Sequence, residues 1–241
     1  MPVFLEWLEK EEPDLLVVQE TKVEDDKFPF ADLEQTGYNI VIHGQKSYNG
    51  VCMLSKGEMD SVERGFGDDS PTDCRIIHGV YNGVHFINTY VPNGTAVGGE
   101  KWAYKMWWLE HFDAVFSDRL KVDDPVIWLG DINIAPTPFD VYEPENKLGS
   151  VGHHPDEFER LAKIREWGWT DCFRKFNQED AHYTFFDFRI RGSFGRNLGW
   201  RIDHVYASPG IESRILRCWH AGEPRRLEKP SDHIPVLVEI A

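Results

Sequence analysis

Four short segments of this chain carry residue types that could do chemistry together. In Leu129-Gly130-Asp131-Ile132-Asn133 an apolar run delivers a glycine, then Asp131 and Asn133 two positions apart. From a strand end and the turn after it, both side chains can address one site. An aspartate there orders a water or binds a cation, and an asparagine holds an oxyanion or a ligand. The same pair also suits an Asx turn ahead of Pro136-Thr137-Pro138. Gln19-Glu20-Thr21-Lys22 places a carboxylate beside a lysine at a strand end. That suits a divalent ion and its phosphate, or an exposed salt bridge. Gly199-Trp200-Arg201-Ile202-Asp203-His204 brings an aspartate to a strand start behind an aromatic and an arginine. Lys229-Pro230-Ser231-Asp232-His233 sets aspartate and histidine side by side before a last apolar run. Neighbouring side chains on an extended chain diverge, so a remote carboxylate must orient His233, and Asp203 is the natural candidate. Asp232 is then left to face a metal. Oxygen ligands with one imidazole suit Mg²⁺ or Mn²⁺ better than zinc. Together they are what metal-assisted phosphodiester hydrolysis requires.

These residues need elements to hold them. The stripe Phe4, Leu5, Leu8 predicts a helix over 3–10, stopped by Pro13-Asp14. Predicted strands follow at 15–18, 39–42, 50–54, 76–81, 84–90, 126–129, 202–207, 215–219 and 234–240. Two longer helices are predicted, over 100–120 with Trp107, Trp108, His111, Phe112 and Val115 on its apolar side, and over 155–167 with Gly168 as its cap. Several apolar runs end at Glu20, Tyr90, Asp131 or Asp203, and strand ends are where open sheets gather their sites. Without repeat, linker or low-complexity tract, the 241 residues read as one domain, 1–241, of layered α/β or α+β type.

Composition narrows the partners. At 28% charged and 41% hydrophobic residues the chain is globular, and no apolar run approaches a membrane span. Cys52, Cys74, Cys172 and Cys218 are far apart, against a zinc knuckle or a disulfide framework, and point to a reducing cytoplasm. The net charge of −15 disfavours polyanions in general. Any nucleic-acid site must therefore be local, a basic or aromatic patch or carboxylates holding cations that meet the phosphate.

Five blocks, taken together, resemble a known family. They are Gln19-Glu20-Thr21-Lys22, Tyr90-Val91-Pro92-Asn93-Gly94, Gly130 to Thr137, Asn197 to Asp203, and Ser231-Asp232-His233. In order and spacing they are similar to the signature of exonuclease III, the class II apurinic/apyrimidinic (AP) endonuclease branch of the endonuclease/exonuclease/phosphatase superfamily. The resemblance implies a DNase I-like four-layered α/β sandwich, two packed mixed sheets flanked by helices. It implies a Mg²⁺ (or Mn²⁺) dependent enzyme of base excision repair. Such an enzyme cleaves 5′ to abasic sites, leaves a 3′-hydroxyl, and trims 3′ ends as a 3′→5′ exonuclease. The partner implied is double-stranded DNA with abasic sites or blocked 3′ ends, met by a cytoplasmic monomer with no membrane role.

Carried over by position, the resemblance makes Glu20 the principal metal ligand, joined by Asp232, with Asp131, Asn133 and His233 also in the metal and phosphate environment. Asp131 aligns or activates the attacking water, Asn133 steadies the phosphate, and Tyr90 sits near the scissile phosphate or leaving group. His233, oriented by Asp203, contacts a phosphate oxygen. Phe185, Trp200 and Ile202 match an apolar pocket for the extrahelical abasic sugar, although Trp200 also suits ordinary core packing. Lys22, Arg75, Lys101 and Arg189 match positions near the DNA, with solvated surface charge as the plainer reading.

The chain departs from the family pattern at its start. Members open with a strand carrying Asn-x-Asn, and this sequence begins at the helix that follows. The expectation is retained metal and DNA binding with reduced turnover. Two competing readings are a phosphodiesterase of the same superfamily acting on another phosphate ester, and a catalytically weak protein that binds damaged DNA.

Overall fold

The apolar stripe at the start folds as helix α1 (Pro2–Glu11), and Glu12 ends it in the left-handed region. Leu8 is buried from this helix, and Phe4 and Leu5 pack on the same cluster. Burying a leucine side chain stabilises by about 1.5–3 kcal/mol, so this one face fixes the helix on its sheet. That sheet contains β1 (Leu15–Gln19), β2 (Asn39–His43) and β3 (Val51–Ser55), in the antiparallel order β1-β3-β2. The register pairs Gln19 with Val51 and Val51 with His43. β3 is buried throughout because both its faces are covered. Cys52 and Leu54 meet α1, whereas Met53 reaches Gly79 on a second sheet.

The computed structural model describes residues 1–68, 70 and 73–241. The chain divides into two compact units, Met1–Tyr90 with Val126–Gly130, and Val91–Pro125 with Asp131–Ala241. In the first unit the second sheet places β4 (Ser61–Arg64), β5 (Ile76–Tyr81), β6 (Val84–Tyr90) and β7 (Val126–Asp131) side by side. Buried Asn88 on β6 ties the two sheets together, its amide donating to Val18 O at 3.2 Å and Cys52 O at 3.0 Å. A short helix α2 (Phe30–Leu33) adds Leu33 to the α1 cluster.

The second unit is built on α3 (Glu100–Arg119) and α5 (Pro155–Arg165), which pack together, with short α4 (Pro144–Lys147) between them in sequence. Its strands β8 (Thr170–Asp171) and β9 (Asp203–Ala207) pair antiparallel, as do β10 (Ile215–His220) and β11 (Val236–Ile240). Helix α6 (Cys172–Phe176) packs on β9 and β10, and α7 (Pro209–Glu212) on β9. The architecture is mixed α/β with packed sheets and helices. No helix among the described residues is long and apolar enough to cross a membrane.

Some expected boundaries shift for local reasons. Gly50 turns at φ 88 and lies outside β3. Ile202 precedes β9 because its N–H bonds Thr184 Oγ1 at 3.1 Å instead of a strand partner. The final strand starts at Val236, after Pro235, which has no N–H to give a ladder. β4 and β8 were not expected, since Ser-Val-Glu-Arg and Thr-Asp carry no apolar run. The buried face of α3 is Trp102, Lys105, Met106, Trp108, Leu109, Phe112 and Phe116. Trp107 lies on the outer side, 37% exposed and stacked on Tyr104 and His111. A lysine inside the buried stripe had disguised its true direction.

At the end of β7 a glycine is required. Gly130 sits at φ 129, where a Cβ would lie 2.1 Å from Thr89 O on the adjoining strand β6. Gly130→Ala is expected to destabilise the fold by at least ~2 kcal/mol, from strain plus backbone collision. Urea unfolding of the variant against wild type measures it.

Candidate active site

In the first unit the end of β1 turns sharply. Glu20 and Lys22 both adopt positive φ, 57 and 56, which costs a non-glycine residue of order 1 kcal/mol or more. Thr21 N and Lys22 N are tied to Gly50 O and Asn49 O at 3.2 and 2.9 Å, so the turn is held by the strand beside it. Gln19 upstream donates to Asn88 at 2.7 Å. The Glu20 carboxylate accepts from the Tyr90 hydroxyl and pairs with the Lys22 ammonium. Tyr90 is braced in turn by Arg75, whose guanidinium lies 4.8 Å over its ring and donates to its carbonyl at 3.1 Å. Arg75 is only 9% exposed and also pairs with Asp73 at 3.3 Å. Its guanidinium thus supports Tyr90 as well as offering charge.

In the second unit Asp131 and Asn133 form a closed pair. The Asn133 N–H donates to Asp131 Oδ1 at 2.9 Å and its side-chain amide to Asp131 Oδ2 at 3.1 Å. The same amide donates to Val91 O at 2.9 Å, and Asn93 donates to Asn133 Oδ1 at 3.0 Å. This is Asx-turn geometry, and it also fixes a buried carboxylate at a strand end. Asn133 pays with φ 55.

That strained turn is held from below by a buried ion pair. Lys105 on α3 is inaccessible to water and donates to Asn133 O at 2.8 Å and Asn93 O at 3.2 Å. Its ammonium also bonds Glu157 on α5. Burial pushes the lysine down, against the pull of Glu157 and Asp131. Glu157 takes further N–H bonds from Gly152 and His154, closing the start of α5.

The histidine and aspartate of the last blocks meet as expected. His233 Nδ1 lies 2.9 and 3.0 Å from the two oxygens of Asp203. Burial opposes a charge on the ring, but the Asp203 carboxylate overrides it by charge and hydrogen bond and pushes His233 up to about 10. Burial would also raise Asp203, and the imidazolium holds it down. Thr184 Oγ1 fixes the approach, accepting from the N–H groups of Ile202 and Asp203 at 3.1 Å each. The adjacent His204 behaves oppositely. Burial and Arg201 push it down to about 4, and it bonds Ile134 O at 2.8 Å as a neutral ring. Asp232 is half-buried, and its backbone carbonyl accepts from Phe186 N at 2.8 Å.

Phe185, Trp200 and Ile202 come together with Ala135 and Val141 in one apolar cluster. Phe185 and Trp200 exchange backbone bonds at 2.8 and 2.9 Å. The Phe185 ring stands 4.9 Å from the His233 imidazole, so the apolar cluster adjoins that ring. His153 lies edge-on to Trp200, its Nδ1 2.7 Å from Ala135 O. Lys101 and Arg189 are less engaged. Lys101 is exposed in the first turn of α3, and Arg189 extends into solvent with Asp187 at 2.7 Å.

Asp131, Asp203 and His233 place one possible ligand atom each within 4.8 Å of one another. A protonated imidazole offers no lone pair, so in that state the trio combines an acceptor carboxylate with a donor cation. Within the second unit, the oxygen donors of Asp131 and Asp203 are of the hard type that a Mg²⁺-like ion takes. These residues therefore fit a divalent cation held by carboxylates, with the His233 imidazole beside them.

Sequence reasoning passed over Lys105, Asn88, Thr184 and the ion cluster of Asp140, Asp171, Arg174 and Arg201. Lys105 carried a signal, its spacing at 102, 105, 106 and 109 among apolar residues. The others carried none, because their partners are remote in sequence. Arg201 is 1% exposed, with Nε 2.6 Å from Asp140 and Nη2 2.8 Å from Asp171.

Two outcomes are expected. Lys105→Met leaves the Glu157 carboxylate buried without its cation and should cost about 3–5 kcal/mol in urea unfolding. Lys105→Arg should recover part of it. The second concerns acid. Burial favours the neutral Asp140 carboxyl, but Arg201, Thr137 and Arg174 hold it well below the usual carboxylate range. Its contribution is therefore complete above about pH 4 and is lost as pH falls below that. Wild-type unfolding free energy should decline from pH 4 to pH 2, and Asp140→Asn should be less stable at pH 7 with a flatter acid limb.

With this geometry in place, three comparisons bear on descent. A family model described as the endonuclease/exonuclease/phosphatase family matches residues 3–233. Exodeoxyribonuclease III of Haemophilus influenzae is 32% identical over 245 residues, covering 96% of this chain and 91% of that protein. An AP endonuclease structure from Archaeoglobus fulgidus is similar at TM-score 0.94 and 37% identity, covering 98% of this chain and 92% of that one. A Neisseria 3′ phosphatase, NExo, bound to a product DNA hairpin, is similar at TM-score 0.95 and 36% identity, covering 100% and 93%. The chain belongs to the endonuclease/exonuclease/phosphatase family, with a DNase I-like fold, and is a hydrolase of its exonuclease III and AP endonuclease branch.

Proposed function

We propose that this protein is a Mg²⁺-dependent DNA phosphodiesterase that incises double-stranded DNA 5′ to abasic sites and trims 3′ ends. The observation that carries the abasic reading is the apolar cluster of Phe185, Trp200 and Ile202 adjoining the His233–Asp203 pair. A cationic imidazole suits a phosphate oxygen. An apolar slot beside it suits a deoxyribose with no base, which leaves the helical stack at little cost. Relatives named as AP endonuclease, exodeoxyribonuclease and 3′ phosphatase support the substrate class.

In this reading each side chain keeps one task. Asp131, held by Asn133, accepts a hydrogen bond from the attacking water and takes its proton. The water oxygen bonds to phosphorus, the P–O3′ bond breaks, and the products are a 3′-hydroxyl and a 5′-phosphate. His233, kept protonated by Asp203, donates to a phosphate oxygen as its negative charge grows. Asn133 holds the phosphate side of the turn, and Tyr90, braced by Arg75, donates near the leaving oxygen. Glu20 and Asp232 are the carboxylates we assign to the divalent cation. When bound, that cation supplies charge neutralisation for the phosphate. Lys22, Lys101 and Arg189 offer charge to the DNA backbone.

The test is incision of a duplex carrying one tetrahydrofuran abasic analogue, with Mg²⁺ and with EDTA. An intact duplex and a 3′-phosphate end run beside it. Mg²⁺-dependent incision at the analogue, with the intact duplex spared, is expected. Asp131→Asn should lower the rate by ~10²-fold or more while leaving duplex binding in place. Equal cutting of intact DNA would overturn the abasic reading, and near wild-type rates in Asp131→Asn would overturn the role of Asp131.

A further inference from the structure

We propose that His78 and His85, supported by Glu63, form a site for a late transition-metal cation such as Zn²⁺ on strands β4, β5 and β6 of the first unit. The two histidines flank a two-residue turn, Asn82-Gly83, that joins β5 to β6. Both turn residues have positive φ, 52 and 72, as in a tight hairpin whose twist matches its strands. The register decides which side chains share a face. His78 pairs with Ile87, Val80 pairs with His85, and Glu63 on β4 pairs with His78. Side chains alternate across a strand, so Glu63, His78 and His85 project from one face of the sheet. His85 lies at the opposite end of β6 from Tyr90, about 17 Å away at the rise of an antiparallel strand. Neither histidine has a task in the phosphodiester chemistry proposed above.

The rings meet at a ligand spacing. His78 Nε2 lies 3.0 Å from His85 Nδ1, and the rings stack with centroids 5.2 Å apart and planes at 28°. Two imidazole nitrogens on one ion, each at about 2.0–2.1 Å and about 90–109° apart in angle, stand about 2.9–3.4 Å from each other. The other nitrogen of His78, Nδ1, faces Glu63 Oε2 at 4.0 Å. A carboxylate on that side favours a proton on Nδ1 and leaves the Nε2 lone pair for a cation, as carboxylates do behind metal-bound imidazoles. Without metal, one hydrogen bridges the two facing nitrogens. The ion takes its place: His78 keeps its proton on Nδ1 and His85 carries its own on Nε2. Both rings stay neutral and no proton is lost. Imidazole donors suit zinc, copper and nickel, whereas magnesium prefers oxygen. The Glu63 side chain is 42% exposed and that of His78 14%, so the ion has access from solvent and water fills its remaining positions. The hairpin already holds both rings, so little ordering cost is left for binding.

The test is calorimetric titration of the metal-free protein with Zn²⁺ alone. It is repeated on His85→Gln, His78→Gln and Glu63→Gln, with His233→Ala as a control for the candidate active site. In parallel, Cu²⁺ is added alone and electron paramagnetic resonance reads the nitrogens bound to it. Wild type should take up Zn²⁺ and show two nitrogens on copper. His85→Gln and His78→Gln should each weaken the Zn²⁺ site by about tenfold or more, and Glu63→Gln by about tenfold, as for other carboxylates behind a metal-bound imidazole. His233→Ala should retain the site. His85→Gln should keep the wild-type unfolding midpoint without metal, and Mg²⁺-dependent incision within about twofold. Zn²⁺ binding unchanged in both histidine variants would reduce the pair to a cross-strand hydrogen bond and overturn the proposal. So would binding abolished by His233→Ala and kept by His85→Gln, which assigns the ion to the candidate active site. A wild type that takes up no Zn²⁺ does the same, as does a loss of incision in His85→Gln to match its loss of Zn²⁺.

Discussion

A guanidinium almost wholly withdrawn from water sits at the centre of the second unit. Arg201 is held between Asp140 and Asp171, and Asp140 is shared with Arg174 and with the hydroxyl and N–H of Thr137. Three charged side chains with little access to solvent are tolerable only because each is met by opposite charge and hydrogen bonds. The consequence for the site is positional. Arg201 stands between Trp200 and Ile202 in sequence, and alternate residues of an extended chain point to opposite sides. Anchoring the guanidinium inward sends its neighbours to the apolar cluster with Phe185. Two residues on, the same chain delivers Asp203 to His233.

The candidate catalytic residues are held in conformations the chain would not choose alone. Glu20, Lys22 and Asn133 occupy the left-handed region, and Gly130 lies beyond what a side chain allows. Such strain persists only where surrounding contacts exceed it. At Asn133 those contacts are the Asp131 carboxylate, Val91 O and the ammonium of Lys105. At Glu20 they are the strand pairing of β1 with β3 and the bonds to Asn49 and Gly50. Side chains held this way have met their ordering cost during folding.

Charge is used locally throughout. His204 and His233 are the same residue type within one unit, yet one is neutral and the other cationic. Burial opposes a charge on both rings; at His204 it is joined by Arg201 and outweighs the nearby carboxylates, whereas at His233 the hydrogen-bonded Asp203 outweighs it. The acidic net charge of the chain predicts neither state.

Much of the site was legible in the sequence. Glycine, Asp-x-Asn and Asp-His at the ends of apolar runs carry their chemistry in residue type, and the pairing of His233 with Asp203 followed from the geometry of adjacent side chains. Strand positions were legible wherever apolar residues ran together, and failed at Ser61–Arg64 and Thr170–Asp171, where pairing partners supply what the side chains do not. The face of α3 was misread because a lysine looks polar until its partner is known. Its partner, Glu157, is 52 residues away, and the partner of Arg201 at Asp140 is 61 away. The sequence by itself determined which groups could do chemistry and which segments could bury apolar surface, since both depend on residue type and short-range period. Only the tertiary structure decided which buried charges find each other, which histidine keeps its proton, and which strained turns are held, because those depend on distances between segments that no local pattern encodes.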